Sequence, residues 1–355
     1  MYLKYFGLTA QPFRLTPDSG FLFMSEPHSR AKSYMDYTVW NREGFVVVTG
    51  EIGCGKTTLI QKLLADLDEN VVVAKIFQTQ LDEVEFLQAV LVEFGLNPFN
   101  AKKVELLDML NSFIIEQFMQ KKQIVLIVDD AHNLSSKVLE EIRMLAGLET
   151  RKEKILHVIL VGQPQLRDNL DHPDMEQLTQ RVKLRYHIRA LTEKELGDYV
   201  RYRLRIAGAA NLAMFPPETL PVIYKYAGGI PRLINTLCDT ALTCAYADNV
   251  PRITVDVVEA AAAEMQWRPY SERIDKRRLQ SLRGPEGGVH AMLHQQVETL
   301  TRIAHSSSGL EDLPAALASI KKVLAAIEIH LRELADKPGS QPQSGSAADR
   351  RHKTG

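Results

Sequence analysis

The run Gly50-Glu51-Ile52-Gly53-Cys54-Gly55-Lys56-Thr57 combines glycines, a lysine and a hydroxyl at a spacing that can grip phosphate. Glycines at both ends and at Gly53 let the backbone wrap an anion with its N–H groups. A helix starting at the end of the loop turns the positive end of its dipole toward the same anion. Lys56 would then reach the β- and γ-phosphates of a nucleoside triphosphate, and the Thr57 hydroxyl would ligate Mg²⁺. A plain Gly-rich turn between a strand and a helix needs neither the Lys nor the hydroxyl. The nucleotide-binding set is therefore Gly50 through Thr57, including Glu51, Ile52, Cys54 and Gly55, together with Thr58.

A second constellation lies some 70 residues downstream at Ile124-Val125-Leu126-Ile127-Val128-Asp129-Asp130. An unbroken apolar strand ending in acid places a carboxylate at the carboxyl edge of a buried sheet, beside the phosphates. Asp129 would hold Mg²⁺ directly or through water, and Asp130 would polarise the attacking water. An acidic cap before the helix that resumes near Ser136 is the competing account of the same two residues.

Both constellations require strands that end at one edge. Apolar runs at Phe45–Val48, Val71–Phe77, Ile124–Val128, Ile155–Val161 and Leu184–Ile188 read as five strands. Helical patterns at about 56–67, 82–95, 103–120 and 136–147 alternate with them, which predicts an α/β fold with a parallel sheet covered on both faces. From Thr192 to Trp267 the strand pattern stops and the sequence reads as an all-α subdomain. The expected organisation is an α/β nucleotide-binding domain over 1–190 and a helical lid over 191–268. A basic and Gly-containing linker over 269–288, a helical region over 289–335 and a disordered tail over 336–355 complete it.

Composition restricts the partners. With 43 Lys+Arg against 44 Asp+Glu the net charge is -1, so no general basic field draws the chain to nucleic acid or anionic lipid. The three cysteines, Cys54, Cys238 and Cys244, fit no metal-binding spacing and suit a reducing compartment. The amino terminus lacks a basic segment followed by a sustained apolar run, and no window approaches the length of a membrane span. A cytoplasmic location is expected, with any inner-membrane association peripheral and through a partner.

Further motifs carry a family resemblance. Asp129-Asp130-Ala131-His132-Asn133-Leu134, Val161-Gly162-Gln163-Pro164, Gln180-Arg181-Val182 and Gly228-Gly229-Ile230-Pro231-Arg232-Leu233-Ile234-Asn235 follow the phosphate loop in order. Tyr5-Phe6-Gly7-Leu8, Pro12-Phe13 and Leu15-Thr16-Pro17-Asp18 precede it. Over about residues 1–267 this arrangement resembles the AAA+ P-loop ATPases of the ExeA/GspA group, and more narrowly the secretion ATPases linked to the exosortase (PEP-CTERM) system. The resemblance implies ATP and Mg²⁺ as ligands and ATP hydrolysis as the activity. It also implies assembly into a homo-oligomeric ring or filament that serves a secretion, polysaccharide-export or protein-sorting machine.

By position, Gln163 matches the polar residue that senses the γ-phosphate at the end of the fourth strand; a strand-end polar cap is the alternative. Arg181 matches the arginine offered to a neighbouring subunit's nucleotide, although Lys183 and Arg185 follow in alternation and a solvated strand face would read the same way. Arg232 matches the lid arginine that contacts the phosphates. The group commonly has Asp-Glu where this chain has Asp129-Asp130. The second carboxylate is thereby withdrawn by roughly 1.5 Å, which predicts slow hydrolysis with binding intact.

Beyond residue 271 the resemblance ends. Arg273, Lys276, Arg277, Arg278 and Arg283 form a basic run before Gly284-Pro285-Glu286-Gly287-Gly288. Leu313, Leu317, Ile320, Leu324, Ile327, Leu331 and Leu334 alternate spacings of four and three, the pattern of a heptad seam. The same stripe could equally fold back on the ATPase body or on the apolar face of 289–304. Besides the secretion ATPase, two alternatives stand: an AAA+ regulator of DNA transposition or DNA-bound assembly, and a nucleotide-switched scaffold that hydrolyses slowly.

Overall fold

In the computed structural model, residues 2–41, 44–149 and 153–275 are described. The five apolar runs become five strands: β1 (Phe45–Gly50), β2 (Val71–Ile76), β3 (Gln123–Val128), β4 (Leu156–Gly162) and β5 (Leu184–Ile188). They form one all-parallel sheet in the order β2-β3-β4-β1-β5. β1 and β4 are buried along their whole length, as the continuous Val and Ile runs require of strands covered on both faces. Two apolar clusters flank the sheet. Phe45, Ala74, Leu126 and Leu160 belong to one, and Val46, Val48, Ile127 and Val161 to the other. This alternation along each strand is the period of two expected of a pleated sheet.

The helices longer than four residues are, in chain order up to β5, α1 (Glu26–Trp40), α2 (Lys56–Ala65), α3 (Glu83–Glu93), α4 (Lys103–Met119), α5 (Ser136–Leu145) and α6 (Gln165–Leu170). α2 to α5 fall on the helical patterns of the sequence. α1 was not anticipated. It buries Ala31, Met35 and Val39, a four-residue spacing, against the β1 side of the sheet, while Tyr37 and Trp40 stay exposed and blur the pattern. Asp82 and Glu85 form a reciprocal capping box at the start of α3, which fixes where the chain turns back from β2.

After β5 the chain is helical: α7 (Glu193–Ile206), α8 (Leu220–Ala227), α9 (Pro231–Ala247) and α10 (Val255–Glu264). Thr192 and Glu195 box the start of α7, Gly228 ends α8 in the left-handed conformation, and Pro231 opens α9. The turn between α8 and α9 requires its glycines. A Cβ on Gly229 would lie 2.0 Å from the Leu191 carbonyl oxygen, at a backbone φ of +74. The core of this bundle also takes in Phe6, Leu8, Phe13 and Phe21 from the amino-terminal segment.

That segment is clamped by Arg203 of α7. Its guanidinium donates to the carbonyls of Pro12 at 2.6 Å, Arg14 at 3.0 Å and Phe21 at 3.3 Å, and stacks over the Phe21 ring. Three charge-assisted bonds make a buried guanidinium tolerable and fix the segment's path.

The chain divides into two compact units, Met1–Ser271 and Glu272–Gly355, and both the sheet and the helical bundle lie in the first. The predicted heptad seam at 313–334, the break at Gly284–Gly288 and the tail at 336–355 lie outside the described residues.

Candidate active site

β1, β4 and β3 lie side by side, so their carboxyl ends deliver the phosphate loop, Gln163 and the Asp129-Asp130 pair to one edge of the sheet. The loop needs its glycines for different reasons. Gly53 and Gly55 adopt φ of +82 and +95, and a Cβ on Gly53 would lie 2.5 Å from the Cβ of Arg232. On Gly50 it would meet the Cys54 sulfur at 2.6 Å. Lys56 opens α2 and is buried. Its ammonium donates to the carbonyls of Gly50 at 2.8 Å and Glu51 at 3.0 Å, curling over the loop that would cradle phosphate.

The Thr57 hydroxyl donates to Asp129 Oδ2 at 2.8 Å, joining the first turn of α2 to the end of β3. Asp129 is buried, and burial raises its carboxyl above the ordinary range, while the Thr57 bond and the Asp130 amide at 3.0 Å oppose that shift. Two hard oxygens facing a phosphate loop fit Mg²⁺, which takes few protein ligands and completes its octahedron with phosphate oxygens and water.

Asp130 follows in the left-handed conformation, φ +50, with its side chain 54% exposed. Its carbonyl accepts from Thr79 at the end of β2, and Thr79 in turn accepts from Asn133 at 3.4 Å. Gln163 lies 2.7 Å from His132, between its amide nitrogen and the ring Nε2.

A cavity of about 400 Å³ opens above the loop. Ile52 to Thr58, Asp130, Gln163 and Arg232 line it, and so does the amino-terminal stretch Arg14 to Phe23. The far wall comes from the helical bundle, where Tyr199 donates to Asn235 at 2.7 Å. Arg232 reaches the loop directly, for its backbone N–H donates to the Gly53 carbonyl at 3.1 Å. Ile52 to Thr58, Asp130, Gln163 and Arg232 thus surround one cavity, while Gly50 and Glu51 join it through the Lys56 ammonium and Asp129 through Thr57. Arg181 does not. It donates to the Arg143 carbonyl at the end of α5, at 2.8 Å, and stands apart from the cavity of its own chain.

Two groups escaped the sequence reading. Arg203 was hidden because the carbonyls that it holds lie more than 180 positions away. His28, in the first turn of α1, bonds to the phosphate loop: its Nε2 lies 2.8 Å from the Cys54 carbonyl and its Nδ1 2.7 Å from the Ser25 hydroxyl. A carbonyl only accepts, so Nε2 carries the proton and Nδ1 accepts from Ser25. The one local signal was Ser25-Glu26-Pro27-His28, a helix start with Pro in its first turn. Among the described residues there is no group of three or more His, Cys, Asp or Glu side chains that could hold a metal on its own.

This sheet, with its loop, acid pair and helical lid, is the fold of an AAA-type P-loop NTPase. Residues 40–170 match the family described as the AAA domain. General secretion pathway protein A of Aeromonas hydrophila is 38% identical over 266 residues, covering 75% of this chain and 48% of that protein. The chain thus spans about half the length of the curated relative it matches. Among solved structures, Cdc6p from Pyrobaculum aerophilum aligns with a TM-score of 0.56 at 16% identity, over 96% of this chain and 86% of that one. The ORC2 protein of Aeropyrum pernix, in its ADPNP-ADP complexes, aligns at 0.53 and 15% identity, over 70% and 72%. At these identities the two structures are alike in fold.

Proposed function

We propose that this chain binds ATP with Mg²⁺ in the cavity, hydrolyses it, assembles with further copies when nucleotide binds, and drives or regulates a secretion machine. The observation that carries the reading is the Thr57–Asp129 hydrogen bond beside the buried Lys56, because it gathers a cation, an oxygen pair and a phosphate cradle at one point. The loop amides of Gly53 to Thr57 and the Lys56 ammonium would hold the β- and γ-phosphates. Thr57 and Asp129 would hold Mg²⁺, which when bound neutralises charge developing on the phosphate oxygens. Asp130 polarises the attacking water, Gln163 contacts the γ-phosphate, and Arg232 supplies positive charge from the lid. Arg181, turned away from its own cavity, serves the nucleotide of a neighbouring copy.

The printed name of the Aeromonas relative supports placing this activity in secretion, and the motif order favours an exosortase-linked export or sorting system. Among the described residues no helix is long and apolar enough to cross a membrane. Steady-state phosphate release with Mg²⁺ and ATP tests the activity. Wild type should turn over, and Lys56→Ala should lose tight nucleotide binding while its melting temperature stays within a few degrees. Equal affinity for fluorescent ATP in a folded Lys56→Ala protein would overturn the assignment. Arms with duplex DNA and with a membrane fraction show which of them raises the rate.

A further inference from the structure

His132 occupies the short 3₁₀ turn Ala131–Asn133 directly after the acid pair, and its ring is 11% exposed. Its backbone is fixed from two sides. The His132 carbonyl accepts from the Asn169 amide of α6 at 3.1 Å, and Gly162 at the end of β4 leaves room for the His132 N–H, which a Cβ there would meet at 3.1 Å. One ring nitrogen, Nε2, lies 2.7 Å from the Gln163 amide nitrogen. The other, Nδ1, is buried without a hydrogen-bond partner, and the Asp130 carboxylate stands 3.9 Å away.

The ring chemistry fixes the direction of this chain of groups. Burial lowers the imidazole pKa, against the opposing pull of Asp130, so the ring is neutral and carries a single N–H. With the Gln163 amide donating, Nε2 is the acceptor and the proton sits on Nδ1, facing Asp130. A buried N–H without an acceptor is destabilising. No hydrogen bond from a described residue reaches the Asp130 carboxylate. Closing the gap to about 3 Å would satisfy both groups at once.

We infer that His132 is a positioning residue that ties the water-polarising Asp130 to Gln163. Gln163 sets the ring tautomer, and Nδ1–H draws the Asp130 carboxylate into place. The short Asp130 side chain, half exposed and in a left-handed backbone, needs such a guide more than a longer acid would. A change at Gln163 on meeting or losing the γ-phosphate would thereby alter the hold on Asp130. The inference rests on the ATPase reading above.

The test uses the full chain and compares wild type, His132→Ala, His132→Asn, Asp130→Asn and the double variants. His132→Ala should lower kcat about tenfold or more while KM and the Kd for fluorescent ATP change less than twofold. His132→Asn places an amide N–H near the position of Nδ1 and should recover part of the rate. On the Asp130→Asn background His132→Ala should cost nothing further, because its effect passes through Asp130. A further loss on that background, or a weakened Kd, would mean that His132 merely supports the fold and would overturn the inference. Were His132→Ala to fail to fold, His132→Asn with and without Asp130→Asn gives the same comparison. Wild type without turnover removes the ATPase reading and this inference together. Turnover in wild type with an equal kcat in His132→Ala removes the inference alone.

Discussion

At the residue scale the two acids after β3 have opposite surroundings, and their roles should separate accordingly. Asp129 is buried and bonded to Thr57, whereas Asp130 is half exposed with its backbone in the left-handed region. Asp129→Asn should weaken Mg²⁺-dependent nucleotide binding, since it removes charge from the oxygen pair that faces the cation. Asp130→Asn should keep affinity and lose about a hundredfold in turnover, the usual scale for removing a general base. Titration of fluorescent ATP with and without Mg²⁺, beside steady-state rates, distinguishes the two. Unimpaired hydrolysis by Asp130→Asn would assign the water to another group. Lys56, Thr57 and Asp129 were legible in the sequence because their chemistry is written in adjacent residues. His28 and Arg203 were not, because each acts on a backbone carbonyl, and any residue can supply one.

At the element scale, strands and helices with one uninterrupted apolar pattern were readable, and β1 to β5 fall where the Val, Ile and Leu runs placed them. α1 is obscured because exposed Tyr37 and Trp40 put apolar residues on its solvent face as well, and because Ser25-Glu26-Pro27 is the single mark of its start. Yet α1 positions the loop through His28, and this link should be visible as pH dependence. Burial depresses the His28 pKa below its ordinary 6.5, with the Cys54 bond and Glu195 opposing. Between that depressed value and 6.5 the unfolded chain binds more protons than the folded one, so stability is full above about 6.5 and declines as the pH falls. His132 and His187 are depressed by burial as well and add the same sign. For the buried His28, each unit of pH crossed in that window costs at most about 1.4 kcal/mol. Thermal melts from pH 7.5 to 5.5 should therefore show a falling midpoint, and His28→Gln should flatten the fall. An identical slope in a folded His28→Gln protein would show that other groups set it.

At the scale of the whole molecule, the nucleotide cavity is made by three stretches far apart in sequence: the loop, the amino-terminal segment and the helical bundle. Arg181 stays outside it, held by the Arg143 carbonyl. If it completes a neighbour's site, specific activity should rise with protein concentration and Arg181→Ala should bind ATP without hydrolysing it. Mixing Arg181→Ala with Lys56→Ala pairs an intact loop with an intact arginine, and the mixture should regain activity that neither variant has alone. Co-assembly without recovered activity, measured by light scattering beside phosphate release, would place a complete site within one chain. The heptad pattern at 313–334 was legible only as a pattern, since what it packs against is not encoded in its own spacing.

The contact between Gly53 and Arg232 has a consequence for how such a molecule can be recombined. The loop lacks a side chain where the lid arginine approaches, and the two backbones share one hydrogen bond. A loop from one relative and a lid from another would fit only if both brought the same agreement, a small residue on one side and the arginine on the other. In this chain the α/β part and the helical part are thus fitted to one another through Gly53 and Arg232, which lie some 180 positions apart.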